Sequence, residues 1–359
     1  MGKSILIITL GLSLIIGFII LKLNTNATHG VETTVNKFDQ THARLIANSA
    51  VEIQLEKLKW DKSYGGSFSG TLFGGLYSGA ITYTTSDSSK IIIRAHSKFQ
   101  DDAIHYVRVD AEREPIDLVI QSALTISTQA FTSLNITGTQ LVSGFEHDTS
   151  GAFIDSVTPP PVSGITVDSS SQVLIVANSL SNGAIVEGKG PLVKVTKPGN
   201  KEYFYSIAKS TTLIDWAAIG KDIASSADLV LGSPGGDIVL TNFNEGSILD
   251  PKIVRIDGSV SLPGGSAGAG ILVVNGNLTL LGGFTWKGLI IAYADNANIE
   301  IKLTGGATII GGMVLQGKNT KLLNAGGNQG FELLYSSLAM TIINNNLKNS
   351  SFNIVSWWE

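Results

Sequence analysis

From Ile5 to Leu21 the chain reads ILIITLGLSLIIGFIIL, an uncharged run bracketed by Lys3 and Lys22. About 17–25 such residues suffice to cross a bilayer as a helix, and a run of this length at the start of a chain is hard to bury in a protein core. A cleavable secretory peptide has a shorter apolar stretch, about 7–15 residues, followed by small residues at an A-x-A-like site. Here Lys22-Leu23-Asn24-Thr25 follows instead. The reading is a single membrane-spanning helix that meets lipid through Ile5, Leu6, Leu10, Leu14, Phe18 and Leu21. Lys3 and the amine precede it, while Glu32 and Asp39 come soon after Lys22. The positive-inside bias therefore puts the amino terminus in the cytoplasm and the bulk in the periplasm or outside the cell.

The helical pattern does not stop at the membrane. Val31, Val35, Phe38, His42, Leu45, Ser49 and Ile53 recur at steps of three or four, and no Pro occurs from Met1 to Ser63. That spacing aligns side chains on one helical face. A helix from Ser4 to Trp60 would be on the order of 85 Å long at 1.5 Å per residue, so half of it projects and binds something. Its expected packing and assembly face is Val35, Phe38, Leu45, Ser49, Glu52 and Ile53, turned toward the protein's own sheet or a neighbouring helix.

Residues 43–58, ARLIANSAVEIQLEKL, follow that apolar start, and three strand-like runs come next: Gly74–Tyr83, Lys90–Ser97 and Ile104–Ala111. This order resembles the PilX-like type IV pilus-assembly proteins and minor pilins, whose helix often carries A-x-x-A-E-A. Ala47 and Ala50 match it, while Val51 and Glu52 stand where Glu and Ala belong. The resemblance implies an antiparallel meander folded on the helix, and pilin-like or assembly proteins as partners. The sequence departs from the family in having no Gly-Phe-Thr-x-x-x-Glu junction and no Glu before Glu32.

Forty glycines and only 15% charged residues in 359 favour many short strands punctuated by turns for the remainder. Val254–Leu262 (VRIDGSVSL) is echoed eighteen residues later by Leu272–Leu280 (LVVNGNLTL). Asp257-Gly258 and Asn275-Gly276 are the repeat turns, and the series continues through Leu289–Ile291, Ile299–Leu303 and Met313–Leu315. Such a period suggests stacked coils of a β-helix or solenoid; Asp-Gly and Asn-Gly also suit antiparallel hairpins. Residues 210–231 read as a short helical insertion in which Trp216 packs into a core. Thr158-Pro159-Pro160-Pro161-Val162 reads as a loop, Asp101-Asp102 as a turn, Leu338 to Asn346 as a closing helix, and Trp357-Trp358 as packing on the last coil.

The fold class is thus α+β, mainly β: residues 1–63 a transmembrane and extended amphipathic helix, 64–114 an antiparallel meander, and 115–359 a β-rich, β-helix-like domain. Chemistry is sparse. Without Cys there is no thiolate ligand or nucleophile, and a net charge of −4 without a basic run leaves no footprint for nucleic acid. Gly264-Gly265-Ser266-Ala267-Gly268 matches G-x-S-x-G, but all five histidines precede it, and in hydrolases of that motif the His follows. His96 and His105 lie in neighbouring predicted strands, where the pair has no third metal ligand. No catalytic residue, metal or cofactor is expected. The leading expectation is a membrane-anchored structural component of a pilus. The alternatives are an adhesin for a surface glycan, and a membrane-tethered carbohydrate-active β-helix using Lys287, Asp295, Glu300 and Lys302.

Overall fold

The computed structural model describes residues 2–359 except 61–63, 85–89, 101–102, 114–119, 137–139, 156–159, 182, 296, 325–329 and 348–351. The Asp101-Asp102 turn and the first two residues of the Thr158–Val162 loop therefore lie outside the described residues, as do the side chains of Ile5 and Trp60. The chain divides into two compact units, 1–114 with 350–359, and 115–349.

In the first unit, α1 runs unbroken over Gly2–Trp60, as a Pro-free stretch allows. Strands β1 (Gly66–Leu72), β2 (Gly75–Tyr83), β3 (Lys90–Phe99) and β4 (Ala103–Arg113) follow as an antiparallel meander. The alternating burial of β3 is that of a strand with one face on a core and one in solvent. The core side is Phe68, Ile81, Ile91, Ile93, Val107 and Val109, against Ala47, Val51 and Leu58 of the helix.

The second unit holds β5 (Ser122–Asn135), β6 (Leu141–Ser143), β7 (Ser163–Val167), α2 (Ser170–Ser179), β8 (Ile185–Glu187), β9 (Leu192–Lys197), β10 (Lys201–Lys209) and α3 (Trp216–Ser225). It continues with β11 (Leu229–Val239), β12 (Lys252–Leu262), β13 (Ala267–Asn275), β14 (Leu278–Leu280), β15 (Thr285–Tyr293), β16 (Asn298–Leu303), β17 (Thr308–Asn324), β18 (Glu332–Tyr335) and α4 (Ser337–Asn346). Apart from β9–β10, its named strand pairs are parallel. The hairpins that Asp257-Gly258 and Asn275-Gly276 would also suit do not form: Val254 pairs with Leu272 and Val260 with Leu278, both in parallel. The eighteen-residue echo is thus a register. Strands β12, β13, β15, β17, β16 and β14 close into a ring of six parallel strands, because β12 and β17 each pair at both halves.

One row of side chains runs through this unit in register: Leu229, Val254, Leu272, Ile290, Met313, Leu124, Ile165 and Ile207. It forms the spine of the main core. The alternate residues Ile253, Ile271 and Leu289 face the other way and meet a second core with Trp216 and Ile223 of α3 and Met340 and Ile343 of α4. Covered on both faces, these strands read as continuous apolar runs. The chain enters the row in its middle, since β5 pairs with β7 on one side and β17 on the other.

Glycines sit where the rungs approach each other. Gly270, Gly288 and Gly311 lie in register at φ +133, +123 and +137, and a Cβ on either of the last two would overlap the carbonyl oxygen of the glycine before it. Only glycine adopts such a backbone without penalty.

The last strand corrects the expected boundary. β19 (Phe352–Trp358) pairs antiparallel with β4 in the first unit, so 115–359 is not one β-rich domain. Trp357 packs into the first unit's core and Trp358 is 62% exposed. Inward and outward residues alternate along a strand, which sends adjacent tryptophans to opposite faces.

Candidate membrane anchor and binding surfaces

The outer half of α1 is apolar and uncovered. Leu6, Leu10, Leu14, Phe18 and Leu21 are all more than 60% exposed, the inverse of a soluble core helix. Its hydroxyls turn inward: Thr9 donates to the carbonyl of Leu6 at 3.0 Å and Ser13 to that of Thr9 at 2.8 Å. Polar groups satisfied within the helix are what a lipid environment requires. Among the described residues this is the one helix long and apolar enough to cross a membrane.

The inner half meets the sheet on a row other than the expected one. Ala43, Ile46, Ala47, Ala50, Val51, Gln54 and Leu58 are fully buried. Of the expected face, Val35, Phe38 and Leu45 are at least half exposed, Glu52 is exposed, and Ser49 and Ile53 are half-buried. The sheet-facing row lies one residue, about 100°, round the helix. The reason is size: three alanines let the backbone settle close to the strands, and Ile46 packs where a Cβ on Gly75 would stand. A hydropathy count favours Leu, Val and Phe and passes over the alanines of this row, although Ala43, Ala47 and Ala50 at steps of four and three carried the signal. Phe38 keeps partial cover, its ring 4.3 Å from that of His42, which stacks on Phe99 at 4.9 Å.

The motifs with chemical potential lie in separate parts of the fold. His96 pairs with Tyr106 and His105 with Ser97. Ser97 is buried against the helix, where its hydroxyl donates to the carbonyl of Ala43, so the two histidines stand on opposite faces and do not meet. Ser266 is buried, and Gly264 beside it stacks over Gly282, which stacks over Gly305; the motif is a corner of the fold. Of Lys287, Asp295, Glu300 and Lys302, the structure brings Glu300 and Lys302 together: Glu300 is clasped by Lys302 and Lys321 at 2.7 and 2.8 Å, whereas Asp295 pairs with Lys221 at 2.6 Å. No group of three or more His, Cys, Asp or Glu able to hold a metal occurs among the described residues.

A polar cleft of about 380 Å³ in the second unit contains Asp168, Asp215, Lys221 and Asp295. Asp215 caps α3, accepting from the Ala218 N–H at 3.1 Å and from Gln316 at 3.0 Å, and these bonds hold its carboxyl below the usual range. Asp168 goes the other way: burial raises it, against the opposing bonds from the Ser127 hydroxyl and Thr128 N–H, both 2.9 Å. Sequence spacing gives no warning of this cleft, because its residues come from five separated segments.

The architecture so defined is a long, half-bare helix packed on an antiparallel sheet, carried in one chain with a unit of parallel rungs. No family model matches the chain, and no curated protein matches it. Among solved structures, the competence-associated pilin ComZ from Thermus thermophilus is similar to it at 10% identity, covering 89% of this chain and 97% of that one, with a TM-score of 0.24. A superposition that loose leaves the fold to be argued from this chain's own geometry.

Proposed function

We propose that this chain is a membrane-anchored, extracytoplasmic structural protein, a minor pilin-like or pilus-assembly component that displays its β-rich part at the cell surface. The observation that carries the reading is the division of α1: an apolar outer half with no cover, and an inner half that spends only one row on its own sheet. That leaves Val35, Phe38, Leu45 and Glu52 for a neighbouring pilin-like helix, while Leu6 to Leu21 meet lipid. The amino terminus is cytoplasmic in this reading. We also read the parallel rungs as coils of a β-helix, since the same eighteen-residue step relates Val254 to Leu272 and Gly270 to Gly288. The role is structural and not catalytic.

The absence of Cys makes topology directly measurable. Alkaline carbonate should leave the intact chain in the membrane pellet, and a membrane-impermeant maleimide should label Lys201→Cys on spheroplasts. Release of the full-length chain by carbonate, or labelling only after lysis, would overturn the proposal.

A further inference from the structure

On the face of the first unit's sheet turned away from α1 lies a groove of about 810 Å³. Its floor is small and hydroxyl-rich, built from Ser67, Ser69, Ser78 and Ala80. Two rows run across the groove in register: Ser78, His96 and Tyr106, then Ala80, Arg94, Arg108 and Trp358. Residues two apart on a strand share a face, so both rows project together. The Ser78 hydroxyl and His96 Nε2 are 3.0 Å apart, and the His96 ring lies 5.7 Å from that of Tyr106. Tyr106 and Trp358 are 67% and 62% exposed, two flat surfaces that the sheet leaves bare.

The charges are unbalanced. Arg94 stands directly opposite Arg108, and like charges in that position repel. Arg108 is answered by Asp110, with its Nε 2.8 Å from Oδ1 and a second nitrogen 3.1 Å from Oδ2. Asp110 also accepts from the Ser356 hydroxyl at 3.1 Å. Arg94 has no hydrogen bond or ion pair among the described residues and acts on Asp110 only through space. Glu359, at the groove's end, is engaged by Arg44 and Asn48. The strand residues of this face carry Lys90, Arg94, Lys98 and Arg108 against Asp110 and Glu112, four cations less two anions or +2, in a chain of net −4.

We propose that this groove binds an acidic glycan, with Arg94 holding the carboxylate of a uronate sugar and Tyr106 and Trp358 receiving the sugar ring. A guanidinium fork matches a carboxylate in two bonds, and the Ser78–His96 pair and neighbouring serines face the sugar hydroxyls. One free arginine on an acidic chain suits a widely spaced anion and not the dense phosphates of nucleic acid. The proposal deepens the reading of a displayed component, and rests on it only for access to glycan at the cell surface.

The test is calorimetric titration of the full-length chain in detergent micelles with a short oligogalacturonate, a neutral glucan of equal length and a single-stranded oligonucleotide. Saturable oligogalacturonate binding is expected, with the glucan at least roughly tenfold weaker, as befits loss of a charged hydrogen bond. Arg94→Gln and Tyr106→Ala should each weaken it by about tenfold or more, Arg94→Lys by less, and Lys201→Gln in the second unit not at all. Melting curves confirm that the exposed-site variants remain folded. Absence of oligogalacturonate binding, equal affinity for the glucan, tighter binding of the oligonucleotide, or an unaffected Arg94→Gln variant would each sink the proposal. Such a failure leaves the anchor reading standing, because carbonate extraction reads the helix and not the groove.

Discussion

The hydroxyl of Ser97 in β3 donates to the carbonyl oxygen of Ala43 in α1 at 2.5 Å, tying the sheet to a helix residue 54 positions earlier. A bond this close needs a small residue on the helix, and Ala47 and Ala50 are the other small residues of the same buried row. Ala47→Leu, which overfills the core that Ala47 shares with Ile93 and Val107, should destabilise the first unit by about 1–3 kcal/mol. Leu45→Ala, on the exposed row, should stay within about 0.5 kcal/mol. Urea unfolding of the two variants separates these outcomes, and equal losses would mean that the helix rests on the other face.

Gly288 lies between Gly270 and Gly311 at φ +123, and a Cβ there would overlap the Gly270 carbonyl and approach Ile343 of α4 at 2.6 Å. Gly288→Ala should therefore destabilise the second unit by about 2–4 kcal/mol, combining backbone strain with overpacking. Gly30→Ala, in the helix with nothing within 4 Å, should be neutral or gain about 0.5–1 kcal/mol. Scanning calorimetry should show the second unit's transition falling for the first variant alone.

Asp168 and Asp215 should respond to pH in opposite senses. Asp168 is raised by burial, so its contribution is present below the unfolded carboxyl range and is lost as pH rises through the folded value. Asp168→Asn should stabilise the protein at neutral pH and lose that advantage in acid. Asp215 is lowered by its bonds to Ala218 and Gln316, so its contribution is present above the unfolded range and disappears as pH falls through the folded value. Asp215→Ala also removes a helix cap and should destabilise by about 0.5–2 kcal/mol at neutral pH. Melting temperatures across an acid-to-neutral series would show whether the two curves diverge as stated.

A charge in the middle of the apolar run should defeat insertion. Leu14, 63% exposed, stands next to the centre of the Ile5–Leu21 run, and an Asp at a helix centre opposes insertion by about 2.5–3.5 kcal/mol on translocon scales. Leu14→Asp should shift a large part of the chain into the carbonate-soluble fraction, whereas Leu14→Ile should remain in the pellet. Identical partition of both variants would argue against lipid contact at this position.

How much of this was legible depended on whether the signal was local. The anchor needed only an uncharged stretch, and the eighteen-residue echo could be read because Asp257-Gly258 and Asn275-Gly276 sit at the same point of successive rungs. The sheet-facing row escaped because alanine is a weak hydrophobic marker, even though its small size is the reason it was placed there. That His96 and His105 stand on opposite faces is hidden in the sequence because register is invisible without turn geometry, and with a period of two a shift of one residue moves a side chain to the opposite face. The pairing of Met313 with Leu124 joins segments so far apart that no local pattern announces it. The polar cleft is hidden for the same reason.

The return of β19 to β4 has a consequence for how the molecule is made. Everything from β5 to α4 is threaded between two neighbouring strands of one sheet, so a ribosome must emit the whole intervening segment before that sheet gains its fifth member. During that interval β4 offers an unsatisfied hydrogen-bonding edge, and a nascent chain stalled anywhere in the insert would present it to whatever strand comes near.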